Sequence, residues 1–255
     1  MDWVVGQAAD GAKPKAGIVY QQDDYGADGL NGWRAAAKQH GVEIVSEQTV
    51  SPGQKDFTAV VAALKDAGAD TVLLAVLPSA SGPILGTAAQ LGYGPTWIGN
   101  TPTWVDAYFK PDVIPSVVFG KFNIVTGMPF WGEQVEGMAA FTTAWDTHGA
   151  ELGNKDSYIL MSYLQGLTQI EVTRRAIESK DVTRAGFQKA LGTIDGFTAG
   201  GLSQPITLNA VPYVAGTRTR IMRPDFEAKS WTVVADWAEP TQAGAVAAPK
   251  AAAAK

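Results

Sequence analysis

The sequence predicts an α/β fold built on a doubly wound parallel sheet, and three observations carry that prediction. Short apolar runs at Ala16–Tyr20, Thr71–Leu77 and Thr96–Gly99 have the continuous pattern of strands buried on both faces. Between them, apolar residues recur at helical spacing, as in Phe57, Val60, Val61 and Leu64. The connections across residues 16–100 are short, and none carries a hairpin turn signal. Strands and helices therefore alternate, which places parallel strands side by side under covering helices.

Each element has its own local reason. Asp2–Ala8 reads as a short apolar-rich helix, ended by Gly11 and Pro14. After Ala16–Tyr20, a polar loop Gln21–Gly29 leads into a helix from near Gly26 that offers Leu30, Trp33 and Ala37 on one face. His40-Gly41 is a helix stop. Val42–Val50 is the second strand, Ser51-Pro52-Gly53 a turn, and Asp56 a candidate cap for the next helix. Pro78–Leu91 is the helix after the third strand. Later, Ser116–Thr126 reads as a strand, and Glu133–His148, Ser157–Ile177 and Arg184–Leu191 as helices. Ile206–Leu208, Thr217–Met222 and Trp231–Ala235 are short strand candidates. From Thr241 the chain is Ala, Pro, Gly and Lys, expected to be disordered.

Composition narrows the function. Of 255 residues, 46% are hydrophobic, enough for a large core. The net charge is −5 and the sequence pI about 5.1, with Lys and Arg dispersed, so no nucleic-acid partner is expected. No apolar run reaches the ~20 residues of a membrane helix. Met1–Val5 has neither a basic region nor a long apolar one, so no signal peptide is expected. The chain has no cysteine, which excludes thiol nucleophiles, disulfides and thiolate metal sites.

Predicted strand exits gather on one rim, at Gln21–Gly26, Ser51–Lys55, Leu77–Ser81 and Asn100–Trp104. In open α/β sheets that rim holds the ligand. Catalytic constellations are missing from it. Asp23-Asp24 suggests an acidic phospho-receiver pocket, but the third strand exit, Ala75-Val76-Leu77-Pro78, lacks the required Asp. Gly26 and Gly29 do not make a dinucleotide fingerprint. His40 and His148 sit near helix ends without metal spacing, and Ser79 and Ser81 lack a nucleophile elbow. No cofactor or metal is expected, and a binding protein is favoured over an enzyme.

The ordered set Gly17-Ile18-Val19-Tyr20 into Asp24-Tyr25-Gly26-Ala27-Asp28-Gly29, Lys55-Asp56-Phe57 with Leu64-Lys65, Gly68-Ala69-Asp70 into Val72-Leu73-Leu74, and Ala89-Gln90-Leu91-Gly92-Tyr93 resembles a known family. It is similar to the periplasmic solute-binding proteins of branched-chain amino acid ABC transporters, of the leucine/isoleucine/valine-binding type. The likeness runs from about Lys15 to Trp237. It implies a type I two-lobed fold with the first lobe incomplete, as in an N-terminally truncated member. Residues 1–115 would be the second lobe, 116–205 the returning part of the first, 206–240 the crossover back, and 241–255 the tail. The helix Ser157–Ile177 is then expected to show an uncovered apolar face and to favour self-association.

The resemblance also implies a function. Two lobes close on a small solute, and a membrane permease of the ABC transporter recognises the closed form. The full-length family is periplasmic, or an extracellular lipoprotein. A ligand-sensing regulatory core of the same fold is the alternative. Tyr25 matches a tyrosine that lines the family cleft. Leu77 falls where amino-acid binders carry a second tyrosine, and Thr101 where they carry the glutamate that pairs with the ligand ammonium. Threonine supplies no charge. An amide, an aromatic or a carboxylic acid suits Leu77, Thr101 and Trp104, the last as a cleft wall, better than a free α-amino acid.

Overall fold

Four helix–strand pairs open the chain. In order they are α1 (Asp2–Gly6), β1 (Lys15–Gln21), α2 (Asp24–His40), β2 (Glu43–Val50), α3 (Thr58–Asp66), β3 (Thr71–Ala75), α4 (Pro78–Gln90) and β4 (Thr96–Asn100). β5 (Phe122–Thr126) follows three single 3-10 turns. Then come α5 (Glu136–His148), α6 (Ser157–Glu178) and α7 (Arg184–Leu191). Four strands end the chain: β6 (Ile206–Thr207), β7 (Val214–Ala215), β8 (Thr219–Asp225) and β9 (Ser230–Ala238). The computed structural model describes residues 1–8, 12–153, 155–211 and 213–241. The tail expected to be disordered lies outside these, except Thr241, whose N–H donates to Asp2 Oδ2 at 2.8 Å.

One seven-stranded sheet runs β2-β1-β3-β4-β5-β8-β9. Its first five strands are parallel, and β8 and β9 join antiparallel. The parallel arrangement expected for residues 16–100 is present, and the later strands β8 and β9 add an antiparallel edge. A four-residue link, Phe226–Lys229, connects β8 and β9, and only an antiparallel pair can be joined so briefly. The parallel part is doubly wound: α1 and α2 pack on the face of Ala16 and Ile18, α3 and α4 on the face of Val19, Val72 and Leu74. Because β1 lies between β2 and β3, the winding reverses beside β1, which opens a crevice between the exits of β1 and β3.

Local chemistry fixes the helix ends. Asp23 accepts the Gly26 N–H at 2.9 Å and so caps α2, which starts at Asp24 rather than near Gly26. A Cβ on Gly26 would stand 1.8 Å from the Gln21 carbonyl oxygen, so only glycine lets α2 begin this close to the end of β1. Gly41, at φ 60°, closes α2 in the left-handed conformation. Asp56 accepts the Thr58 N–H at 2.9 Å where α3 begins.

The sheet continues past residue 116. β5 pairs with β4 in register Ile98–Asn123, so residues 122–126 belong to the first sheet. The chain leaves that sheet after Thr126 and re-enters it at Thr219, where Thr126 lies opposite Arg220. Between these points α5, α6 and α7 gather around Met128, Met138, Phe141, Leu160 and Leu202. Among the described residues this helical part holds only the two-residue strands β6 and β7. The 22-residue α6 fully buries Ser157, Leu160 and Ala176, while Ile170 and Ile177 stay 64% and 60% exposed.

Candidate ligand site at the strand exits

The exits of β1 to β5 are tied together by side-chain hydrogen bonds, and this stitching builds the site. Gln21 ends β1; its Oε1 accepts the Leu77 N–H at 3.3 Å and its Nε2 donates to Asp23. Ser51, past β2, donates to Gln22 Oε1 at 3.0 Å. Tyr25, in the first turn of α2, donates to Asn100 Oδ1 at the end of β4, at 2.5 Å. Asn100 Oδ1 also lies 2.8 Å from the Thr103 hydroxyl, which bonds the Leu74 carbonyl of β3 at 2.9 Å. Thr101 donates to Thr126 Oγ1 at the end of β5, at 3.2 Å.

Tyr25, Leu77 and Thr101 thus share one edge. Leu77 is 40% exposed there, an apolar side chain beside polar neighbours. Burial, the largest cause, pushes the Tyr25 phenol above its ordinary value, so it stays a neutral hydroxyl. Thr101 and Asn100 are half-buried and uncharged. The acidic groups at hand, Asp23 and Asp24, sit at the N-terminus of α2, where the helix favours negative charge.

Trp104 does not belong to the edge. It has no exposed surface, and its ring packs 4.7 Å from Trp231, 4.9 Å from Phe109 and 5.3 Å from Phe119. Its indole N–H donates to Asp106 Oδ1 at 2.8 Å. The expectation of a cleft wall is corrected: Trp104 is the centre of an aromatic core. Some of the partners that bury it, Phe109 and Phe119, are near in the chain; others, Phe226 in the β8–β9 link and Trp231 in β9, lie more than a hundred residues downstream.

Three contributors escaped the sequence reading. Gln21 and Asn100 are the last residues of their strands, a position that alone could have marked them. Tyr158, in the first turn of α6, donates to the Pro102 carbonyl at 2.6 Å and so brings the helical part over the edge. Its phenol is pushed up to about 12, by burial first and then by Tyr25, Asp156 and Tyr108. No sequence signal joins it to Pro102. Among the described residues, no His, Cys, Asp and Glu group could hold a metal ion, and no helix is long and apolar enough to cross a membrane.

Known proteins share this fold. The fatty acid ABC transporter substrate-binding protein from Thermomonospora curvata superposes with a TM-score of 0.85 at 22% identity, over 95% of this chain and 61% of that one. A branched-chain amino acid ABC transporter protein from Thermus thermophilus, with bound valine, gives 0.79 at 18% identity, over 94% and 63%. Both establish the fold, and this chain spans about three-fifths of their length. The Leu/Ile/Val-binding protein homolog 3 of Brucella melitensis biotype 1 is 36% identical over 58 residues, which are 23% of this chain and 16% of that protein. The profile of a family of binding proteins, described as "Periplasmic binding protein", matches residues 1–229, most of the sequence. On that match, the chain belongs to the periplasmic binding protein family.

Proposed function

We propose that the chain is the solute-binding component of an ABC transporter and takes a small ligand between two lobes. Residues 1–126 with β8 and β9 form one lobe, and α5 to α7 belong to the other. The ligand lies on the edge lined by Tyr25, Leu77 and Thr101. The observation that carries this reading is the convergence of Tyr25 on the last residue of β4 and of Tyr158 on the loop just after it, one from each part of the chain. Ligands of doubly wound sheets bind at that rim. By likeness to its family, the protein works in the periplasm, or outside the cell as a lipoprotein, and delivers its ligand to a membrane permease.

The edge also speaks to ligand class. Thr101 is neutral and Leu77 is apolar and accessible, so the ammonium of a free α-amino acid finds no carboxylate at the β4 exit. An amide, an aromatic or a carboxylic acid places an uncharged or apolar portion there. Calorimetric titration of the chain with amino acids, amides and aromatic acids tests this. The expected result is heat of binding from the amides or aromatic acids, weakened at least tenfold by Tyr25→Ala. Product formation from any bound ligand, or unchanged affinity in Tyr25→Ala, overturns the reading.

A further inference from the structure

Beside the candidate site, the contacts between the helical part and the sheet are polar; farther off, Phe130 stacks on Trp231 and Glu133 pairs with Arg220. Three consecutive residues, the cap of α6 and its first two positions, make the polar contacts at the site. Asp156 Oδ2 accepts the Asp106 N–H at 3.0 Å, while Asp156 Oδ1 accepts the Tyr158 N–H at 2.9 Å. The Ser157 hydroxyl lies 3.0 and 3.1 Å from the two carboxylate oxygens of Asp106. Tyr158 donates to the Pro102 carbonyl. Every partner on the sheet side belongs to the loop Pro102–Asp106, directly after Asn100 and Thr101. Trp104, locked in the aromatic core, holds Asp106 in place through its indole N–H.

We propose that Pro102–Asp106 and Asp156–Tyr158 form a latch that keeps the two parts of the chain together before any ligand arrives, so that closure over the site is set by these side chains. The proposal rests on the two-lobe reading above. Polar contacts of this kind exchange for water at little net cost, so the junction can open and reform. A seam of interlocked apolar side chains could not. The ligand then needs to displace only part of this pre-formed closure, a population shift rather than a new structure.

The latch also senses protons. Burial, then the neighbouring Asp156 charge, holds the Asp106 carboxyl above its ordinary value. Asp156 is the charged group that acts on it; Lys155 is turned to the Trp131 ring, 5.0 Å from its centroid. The phenols of Tyr108 and Tyr158 are neutral, their protons on the carbonyls of Pro78 and Pro102. Burial and the Asp156 charge outweigh the hydrogen bonds from Trp104 and Ser157, which favour the ionised form, so on balance the joined structure favours protonated Asp106. The latch is tightest in acid and weakens as pH rises through that raised value.

The absence of cysteine makes the test direct. Cysteines at the exposed positions Asp66 on α3 and Gln169 on α6 carry spin labels, and dipolar spectroscopy reads their separation without ligand. Ser157→Ala with Tyr158→Phe is expected to shift the distribution to longer distances and broaden it. Asp106→Asn, which imitates the protonated acid, is expected to sharpen it and abolish its change between acid and neutral pH. A double variant that is folded by circular dichroism yet has the parent's distribution overturns the latch. If the double variant does not fold, Asp106→Asn decides alone: a distribution no sharper than the parent's at neutral pH overturns it. No ligand enters this experiment, so its failure is separate from failure of the calorimetric panel.

Discussion

Trp104 and Thr101 are three positions apart and do opposite jobs. Trp104 sits in an aromatic core with no exposed surface. Replacing a fully buried tryptophan by alanine removes its packing and leaves a cavity, at a cost of about 3–5 kcal/mol. Trp104→Ala should therefore shift the urea midpoint strongly, and a shift below about 1 kcal/mol would contradict its central place. Thr101 faces the edge and is half-buried. Thr101→Glu restores a carboxylate at the β4 exit, so it should create binding of valine or leucine by calorimetry and weaken binding of acids. The residue scale also shows where sequence reasoning stopped. The strand-exit positions of Tyr25, Leu77 and Thr101 were legible from the apolar runs before them, whereas their part in ligand binding comes from the family likeness and stays a proposal. Trp104 was misread because Phe226 and Trp231, which bury it, are remote in the chain. Tyr158 was missed for the same reason: its partner carbonyl, Pro102, is 56 residues away.

Helix α6 carries a second kind of information, in its charge pattern. Glu171 accepts hydrogen bonds from Arg174 and Arg175, and the guanidinium groups pull its carboxyl down to about 2. A lowered value means that the ionised form is stabilised by folding. The contribution is present above the ordinary glutamate value and is lost as pH falls toward the depressed one. Arg174 is half exposed and the group lies on the helix surface, where water screens the charges, so the effect is small. Acid titration by circular dichroism should show α6 fraying earlier in Glu171→Gln than in the parent at neutral pH, with the two converging in acid. At the start of α2, Asp23→Ala should cost about 1 kcal/mol by loss of the cap on Gly26. Elements with continuous apolar runs or helical spacing were read closely from sequence. The antiparallel pairing of β8 with β5 was not, because alternation within a strand does not say which neighbour it takes or in which direction.

For the whole molecule, the contrast between its two parts matters most. The parallel strands are covered on both faces, and the helical part leaves apolar surface in water. Leu152, Ile170, Ile177 and Val182 are each 60–64% exposed. Between α5 and α6, an open groove of about 340 Å³ is lined by Phe141, Trp145, Ile159 and Tyr163. Exposed apolar surface of this kind promotes association. Sedimentation of the chain should show species heavier than the monomer, with dye binding to apolar surface, and Ile170→Glu with Ile177→Glu should reduce both. A sharp monomer without dye binding would contradict this.

The chain departs from the sheet after Thr126 and comes back beside it, opposite Arg220. Arg220 is buried, pairs with Glu133 on the outgoing passage, and stacks over the Trp237 ring. The two covalent passages therefore run shoulder to shoulder, like adjacent pins on a door. Such an attachment permits swinging about a single line and resists sliding or twisting. Any breathing of this molecule would then sweep α6 toward and away from Tyr25 along one arc.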